Sequence, residues 1–227
     1  MTLPTSTGAA RSIDRHASTP ILVATDLHKR FGATEALRGI DFQLLPGEIV
    51  AIMGPSGSGK STLLHCLAGI LPPSRGTVSF DGRRIDAMGE SERSRLRRTP
   101  FGFVFQFGQL VPELTALENV ALPLLLGDQR RSSAEQRAAE WFPRLGLGGL
   151  EHRRPGDMSG GQAQRVAVAR ALVSGPAVVF ADEPTGSLDS LAGEQVMELL
   201  TGAAREADAS IVIAPMKPGW RPTPSGK

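Results

Sequence analysis

Apolar positions along this 227-residue chain fall into two kinds of run. Glu48–Met53 carries Ile49, Val50, Ala51, Ile52 and Met53 without a break, and Ala177–Ala181 is similarly apolar. Unbroken runs of that length predict strands buried on both faces. Phe101–Gln106, Gly76–Asp81 and Ser210–Ala214 read as further strands, while Ile21–Ala24 and Arg38–Leu45 read as short strands of a small sheet. Between them Lys60–Ala68, Thr115–Leu126, Ser132–Leu145, Gly160–Val173 and Leu191–Glu206 carry helical spacing. Strands alternating with helices, plus a mainly helical insert at about 107–157, predict an α/β core bearing a helical subdomain. No internal repeat is visible.

Composition narrows this only a little. With 41% apolar residues the chain can bury a core without disulfide or metal staples, and its 26 glycines and 17 prolines imply many turns or flexible ends. The single cysteine, Cys66, excludes an internal disulfide framework and a multi-cysteine zinc site. No apolar run approaches the ~18–20 residues of a membrane span. Residues 1–19 lack the apolar core of a secretory signal and read as a disordered tail, and 215–227 as a Pro-rich one. Twenty-five basic against 23 acidic residues argue against a dedicated nucleic-acid binder. Arg93, Arg95, Arg97 and Arg98 read as a solvated helix face beside Glu90 and Glu92.

The chemistry begins at Gly54-Pro55-Ser56-Gly57-Ser58-Gly59-Lys60-Ser61, which matches GxxxxGK[ST] between an apolar strand and a helix. Glycines there let backbone N–H groups turn inward on phosphates, the helix N-terminus adds its positive end, and Thr62 continues the cradle. Lys60 is expected to reach the β- and γ-phosphates of ATP, and the Ser61 hydroxyl to ligate Mg²⁺. His65 and Cys66, further along that helix, read as packing residues. A second acidic element, Val178–Glu183, brings two carboxylates to the end of an apolar strand: Asp182 for Mg²⁺, Glu183 to polarise the attacking water. These elements predict a P-loop NTPase core with a small antiparallel β subdomain.

Met158-Ser159-Gly160-Gly161-Gln162, in order with the phosphate loop, the acidic strand and Gln106 after Phe103-Val104-Phe105, resembles the nucleotide-binding subunits of ABC transporters over about residues 20–214. Asp182–Asp189 and Thr115-Ala116-Leu117-Glu118-Asn119-Val120 look most like the branch of lipoprotein-release, macrolide-export and cell-division ATPases. The resemblance implies a helical insert carrying the signature, and a homodimer or heterodimer in which Ser159, Gly160, Gly161 and Gln162 bind the γ-phosphate held by a partner's Lys60 loop. It implies that Gln106 contacts Mg²⁺ and relays nucleotide state, and that Asp189 lies at the dimer seam. Phe31 has two readings, an aromatic stacked on adenine or a core residue at a strand end. Gln106–Leu126 resembles the surface that receives a transmembrane permease, with Leu110, Val111, Leu124 and Leu125 either docking residues or ordinary packing. A cytoplasmic position at the inner face of the cell membrane follows from the same resemblance, and no nucleic-acid partner is expected.

One departure stands out. Where the family has a histidine after the last core strand, this chain has Pro215-Met216, and its histidines are only His16, His28, His65 and His152. A thioether cannot donate a hydrogen bond to a phosphate. The sequence after Ala214 reads as one that has left the family frame, as a frameshift or degenerate copy would, and it stops before the terminal elements usual there. Nucleotide binding is therefore expected to survive better than turnover.

Overall fold

The computed structural model describes residues 19–215; residues 1–18 and 216–227, and with them the expected tails and Met216, lie outside the described residues. In chain order the elements are β1 (Leu22–Phe31), β2 (Thr34–Leu44), β3 (Ile49–Ala51), α1 (Lys60–Leu67), β4 (Arg75–Phe80), β5 (Arg83–Arg84), α2 (Glu90–Arg98) and β6 (Phe101–Phe105). They continue with α3 (Ala116–Leu126), α4 (Arg131–Ala139), α5 (Trp141–Arg144), a 3₁₀ turn at Pro155–Asp157, α6 (Gly160–Leu172), β7 (Val178–Asp182), α7 (Ser190–Glu206) and β8 (Ser210–Ala214). An antiparallel sheet in the order β2-β1-β4-β5 stands beside a parallel sheet in the order β3-β8-β7-β6. This is the mixed α/β cassette that the sequence predicts.

Apolar alternation along β7 and β8 explains why both read as unbroken runs. Val178, Phe180, Val212 and Ala214 face α1 (Leu63, Leu64, Leu67) and the antiparallel sheet, forming one core cluster. Val179, Ala181, Ile211 and Ile213 face the other way, onto residues of α3, α6 and α7. A strand covered on both faces has no polar side to display. The expectation of the same for Ile49–Ala51 is corrected: all three residues are only half-buried, because β3 pairs with β8 alone and forms the sheet's edge among the described residues.

The first hairpin is longer than the two short strands expected. β1 runs on to Phe31 through register shifts between Ala24 and Leu27 and again at Leu27–His28 and Lys29–Arg30. Each irregularity breaks the period-two pattern from which a strand is read. The arginine face is likewise corrected in part: Arg93 and Arg97 are tucked in and pair with Glu90, and Arg97 Nη1 donates to the Gly69 carbonyl at 2.9 Å. Hydrogen bonds from Arg93 and Arg97 hold the Glu90 carboxyl down to about 2. Among the described residues no helix is long and apolar enough to cross a membrane.

Candidate nucleotide-binding site

The loop Gly54–Gly59 leaves β3 and enters α1 with Gly54, Gly57 and Gly59 at φ of +159°, +76° and +91°. Gly59 occupies the N-cap of α1, and no side chain caps that helix. Its first-turn N–H groups therefore remain available to an anion. The requirement for glycine at Gly59 is steric as well as conformational, since a Cβ there would lie 2.5 Å from the Ala36 carbonyl oxygen. Lys60 is 8% exposed, and its Nζ donates to the carbonyls of Gly54 (3.0 Å) and Pro55 (2.9 Å). The ammonium is thus held inside the loop that would cradle the phosphates.

The parallel sheet brings the acidic strand alongside. Ser61 Oγ donates to Asp182 Oδ1 at 2.8 Å, joining residues 121 positions apart. Ser61, Asp182, Glu183 and Gln106 line one cavity of about 530 Å³. Glu183 holds a left-handed backbone, φ +47°, with its N–H donating to the Ala214 carbonyl at 2.8 Å. Such a conformation in a non-glycine residue costs about 1–3 kcal/mol and is characteristic of functional positions. Gln106 packs against Gly186, where an added Cβ would sit 2.7 Å from its Nε2.

His65, which the sequence assigns to packing, lines this cavity too, with Nε2 at 3.5 Å from Asp182 Oδ2. The available signal is its spacing: four residues beyond Ser61 on a helix is the same face. Cys66 is buried as expected, and burial pushes its thiol up to about 11.

The Ser61–Asp182–Gln106–Glu183 cluster is a set of hard oxygen donors, which fits Mg²⁺. The described residues hold no group of three or more His, Cys, Asp or Glu arranged as an all-protein metal cage. Mg²⁺ ordinarily binds one or two protein oxygens together with substrate phosphates, and Ser61 with Asp182 supplies that number.

The signature lies elsewhere. Ser159 caps α6 and its Oγ accepts from Gln162 N at 3.2 Å, while Gln162 Oε1 accepts from Ser159 N at 2.9 Å. Ser159 and Gly160 are exposed, and none of Ser159–Gln162 lines the Lys60 or Asp182 cavities. Asp189 caps α7 through Oδ1, which accepts from Ala192 N at 2.9 Å, so its position has a local structural reason. Phe31 is 49% exposed with Lys29 Nζ 5.2 Å from its ring centroid, which removes the core reading and leaves a free aromatic face. It lines neither cavity. Of the surface residues named for docking, Leu124 is buried, and Leu110 and Leu125 pack on the core; Phe107, at 71% exposed, and Leu126 are the exposed ones instead.

Comparison with known proteins agrees with this geometry. Residues 37–186 match the ABC transporter family profile. The chain is 46% identical over 197 residues to the lipoprotein-releasing system ATP-binding protein LolD of Hydrogenovibrio crunogenus, covering 85% of this chain and 86% of that one. It is 46% identical over 198 residues to the macrolide export ATP-binding/permease protein MacB of Marinobacter nauticus, covering 86% of this chain but only 31% of that longer protein. Among solved structures it is similar to a dimeric ATP-binding cassette, MJ0796, in a post-hydrolysis state bound to ADP and Pi, with TM-score 0.75, 37% identity, and 85% and 87% of the two chains covered. With Ser61 at the end of the phosphate loop, the acidic strand end and the Gln106 loop meeting at one cavity, the chain belongs to the ABC transporter family and is one of its ATP-binding, ATP-hydrolysing cassettes.

Proposed function

We propose that this chain binds MgATP on the Gly54–Thr62 loop and hydrolyses it within a dimer of cassettes that drives a transmembrane permease. The observation that carries this is the division of the site: Ser61, Gln106, Asp182 and Glu183 converge on one cavity, whereas Ser159 and Gly160 are exposed at a helix start away from it. An outward signature fits use on a nucleotide held by a partner subunit, homomeric or heteromeric. Bound Mg²⁺ would neutralise the β- and γ-phosphate oxygens. Lys60 leaves the Gly54 and Pro55 carbonyls for the same oxygens, and the free N–H groups of α1 add to them. Glu183 accepts a proton from water as its oxygen bonds to the γ-phosphorus and the bond to the ADP oxygen breaks. Phe31 stacks on adenine, and Asp189 closes against the opposing subunit.

On this reading the surface from Gln106 to Leu126, where Phe107 and Leu126 are exposed, receives the permease, and the chain works at the inner face of the cell membrane. Similarity to LolD and MacB assigns it to the lipoprotein-release and macrolide-export branch. The test is Glu183→Gln: nucleotide binding persists and turnover falls roughly 10²–10³-fold, with an ATP-dependent dimer in sedimentation. Unchanged turnover removes Glu183 from the chemistry.

A second reading rests on Pro215-Met216, which stands where the family carries its phosphate-contacting histidine. On it the chain binds ATP and dimerises with an intact partner while turning over slowly. Met216→His raises turnover on this reading and leaves it unchanged on the first.

A further inference from the structure

We infer that Gln164 and Arg170, on the body of α6, are positioning residues for Gln106, clamping its loop so that the signature helix and Gln106 move as one unit. The inference rests on the ATPase reading above.

The loop 106–109 holds a backbone that it would not keep by itself. Gly108 and Gln109 are both left-handed, at φ +66° and +47°, and the second is not a glycine. Local turn contacts are slight: Gly108 N donates to the Phe105 carbonyl at 3.0 Å. Side chains from outside supply the rest. Gln164 Nε2 donates to the Phe105 carbonyl at 2.8 Å. Arg170 donates from Nη1 to the Gln109 carbonyl at 2.8 Å and from Nη2 to the Gly108 carbonyl at 2.6 Å. On the opposite side Ser187 Oγ donates to the Gln106 carbonyl at 2.8 Å. Four of the five carbonyls from Phe105 to Gln109 are thus held by three side chains, two of them from one helix.

The loop also lies directly on α6. A Cβ added at Gly108 would come within 3.4 Å of Gln164 Oε1 and 3.5 Å of both the Ala163 carbonyl and Ala167 Cβ. Gln164 is 1% exposed. Arg170 has no carboxylate within ion-pair distance among the described residues, and burial alone lowers its pKa. A half-buried cation answered only by carbonyl dipoles is a costly way to fill space, and an apolar side chain would fill much of it more cheaply. What the guanidinium adds is a rigid fork that fixes two neighbouring carbonyls at once.

The same helix starts at the Ser159 cap and ends at Leu172. At 1.5 Å per residue its 13 residues span about 20 Å, so a displacement at the signature is carried along a stiff rod to the Gln106 loop.

The experiment compares wild type with Gln164→Leu, Arg170→Lys, Gln106→Ala and the Gln106→Ala/Gln164→Leu double variant. Leucine keeps the buried volume and removes the donor; lysine keeps the charge but replaces the planar two-pronged fork with a freely rotating ammonium on a shorter side chain. Thermal unfolding identifies any variant that fails to fold, and either single variant suffices. In nucleotide-free protein, amides of 106–109 are expected to exchange about tenfold faster in Gln164→Leu or Arg170→Lys, with those of β7 unchanged. With MgATP, kcat falls about tenfold and KM stays within about twofold. The double variant matches Gln106→Ala by itself, because a clamp has nothing left to position.

Unchanged loop exchange, a rise in KM at constant kcat, or multiplicative loss in the double variant overturns the inference. Absence of turnover in wild type overturns the ATPase reading and the positioning role with it, while loop exchange still reports whether the clamp exists. The two failures are thereby distinguishable.

Discussion

Asn119 offers the sharpest quantitative test of how the segment after Gln106 is held. It is fully buried at the second turn of α3, at 0% exposure. Its Oδ1 accepts from Val111 N at 2.7 Å. Its Nδ2 lies 3.0 Å from the Val111 carbonyl, 3.2 Å from that of Leu114 and 3.0 Å from that of Thr115. One amide therefore closes the loop from 111 to 115 onto the helix. Asn119→Ala removes one accepted and two or more donated hydrogen bonds, each worth about 1 kcal/mol net, and strands the Val111 N–H at a further ~1–3 kcal/mol. The bare carbonyls cost less, because the Thr115 carbonyl also accepts the helical N–H of Asn119. The expected loss is about 4–6 kcal/mol, or a fall in Tm of about 8–24 °C for a chain of this size.

Asn119→Asp discriminates further. It keeps the acceptor for Val111 but turns a carboxylate toward three carbonyl oxygens, so at about pH 8 it is less stable than the alanine variant. Its folded pKa is raised above the ~3.9 of an unfolded aspartate, so stability returns as pH falls and the protonated acid can donate. Urea denaturation followed by far-UV circular dichroism reads both variants across pH. A loss under about 1 kcal/mol for alanine, or an aspartate variant as stable as wild type at about pH 8, refutes the reasoning.

Three further outcomes follow from the same geometry. Gly59→Ala meets a left-handed φ of +91° and a contact of 2.5 Å with the Ala36 carbonyl, so it loses about 2–4 kcal/mol of stability together with ATP affinity. Gly57→Ala, left-handed with open space around it, loses only about 1 kcal/mol; equal effects in calorimetry sink the steric account. Because burial raises the Cys66 thiol from 9.0 to about 11, its contribution is intact below pH 9.0 and lost as pH rises towards about 11. Cys66→Ala flattens that alkaline loss, and the native thiol resists alkylation at about pH 8 while the unfolded one reacts. Glu90 is depressed from 4.5 to about 2 by Arg93 and Arg97, so the stability it contributes is present above 4.5 and disappears as pH falls towards about 2. The difference between wild type and Glu90→Gln in unfolding midpoint should shrink over that interval, and a constant difference refutes the pairing.

Some of this molecule is written in its residues one after another. The Gly54–Ser61 loop, the Asp182-Glu183 strand end and the Ser159–Gln162 helix start are legible because each binding task needs particular groups at fixed spacing on a strand, turn or helix. The runs in β7 and β8 are legible because a strand covered on both faces must be apolar throughout. The Thr115–Asn119 motif is visible as a string, but its purpose is not. Thr115 and Glu118 form a reciprocal cap at the start of α3, and Asn119 ties down residues eight positions earlier.

Tertiary packing decided the rest, because each case turns on groups far apart in the chain or on which side of a layer an element falls. It made β3 a half-buried edge, though its composition suits a central strand. It buried Leu124 and exposed Leu126, a choice set by which face of α3 meets the core, and it left Phe107 exposed on the loop after β6. It set His65 beside Asp182 across 117 positions and brought Gln164 and Arg170 to the carbonyls of a loop some 60 residues earlier. The residues that would touch nucleotide are thus readable in sequence, since ligand chemistry constrains them locally. Those that hold them in place are not, since a hydrogen bond to a distant carbonyl exists only once the chain has folded.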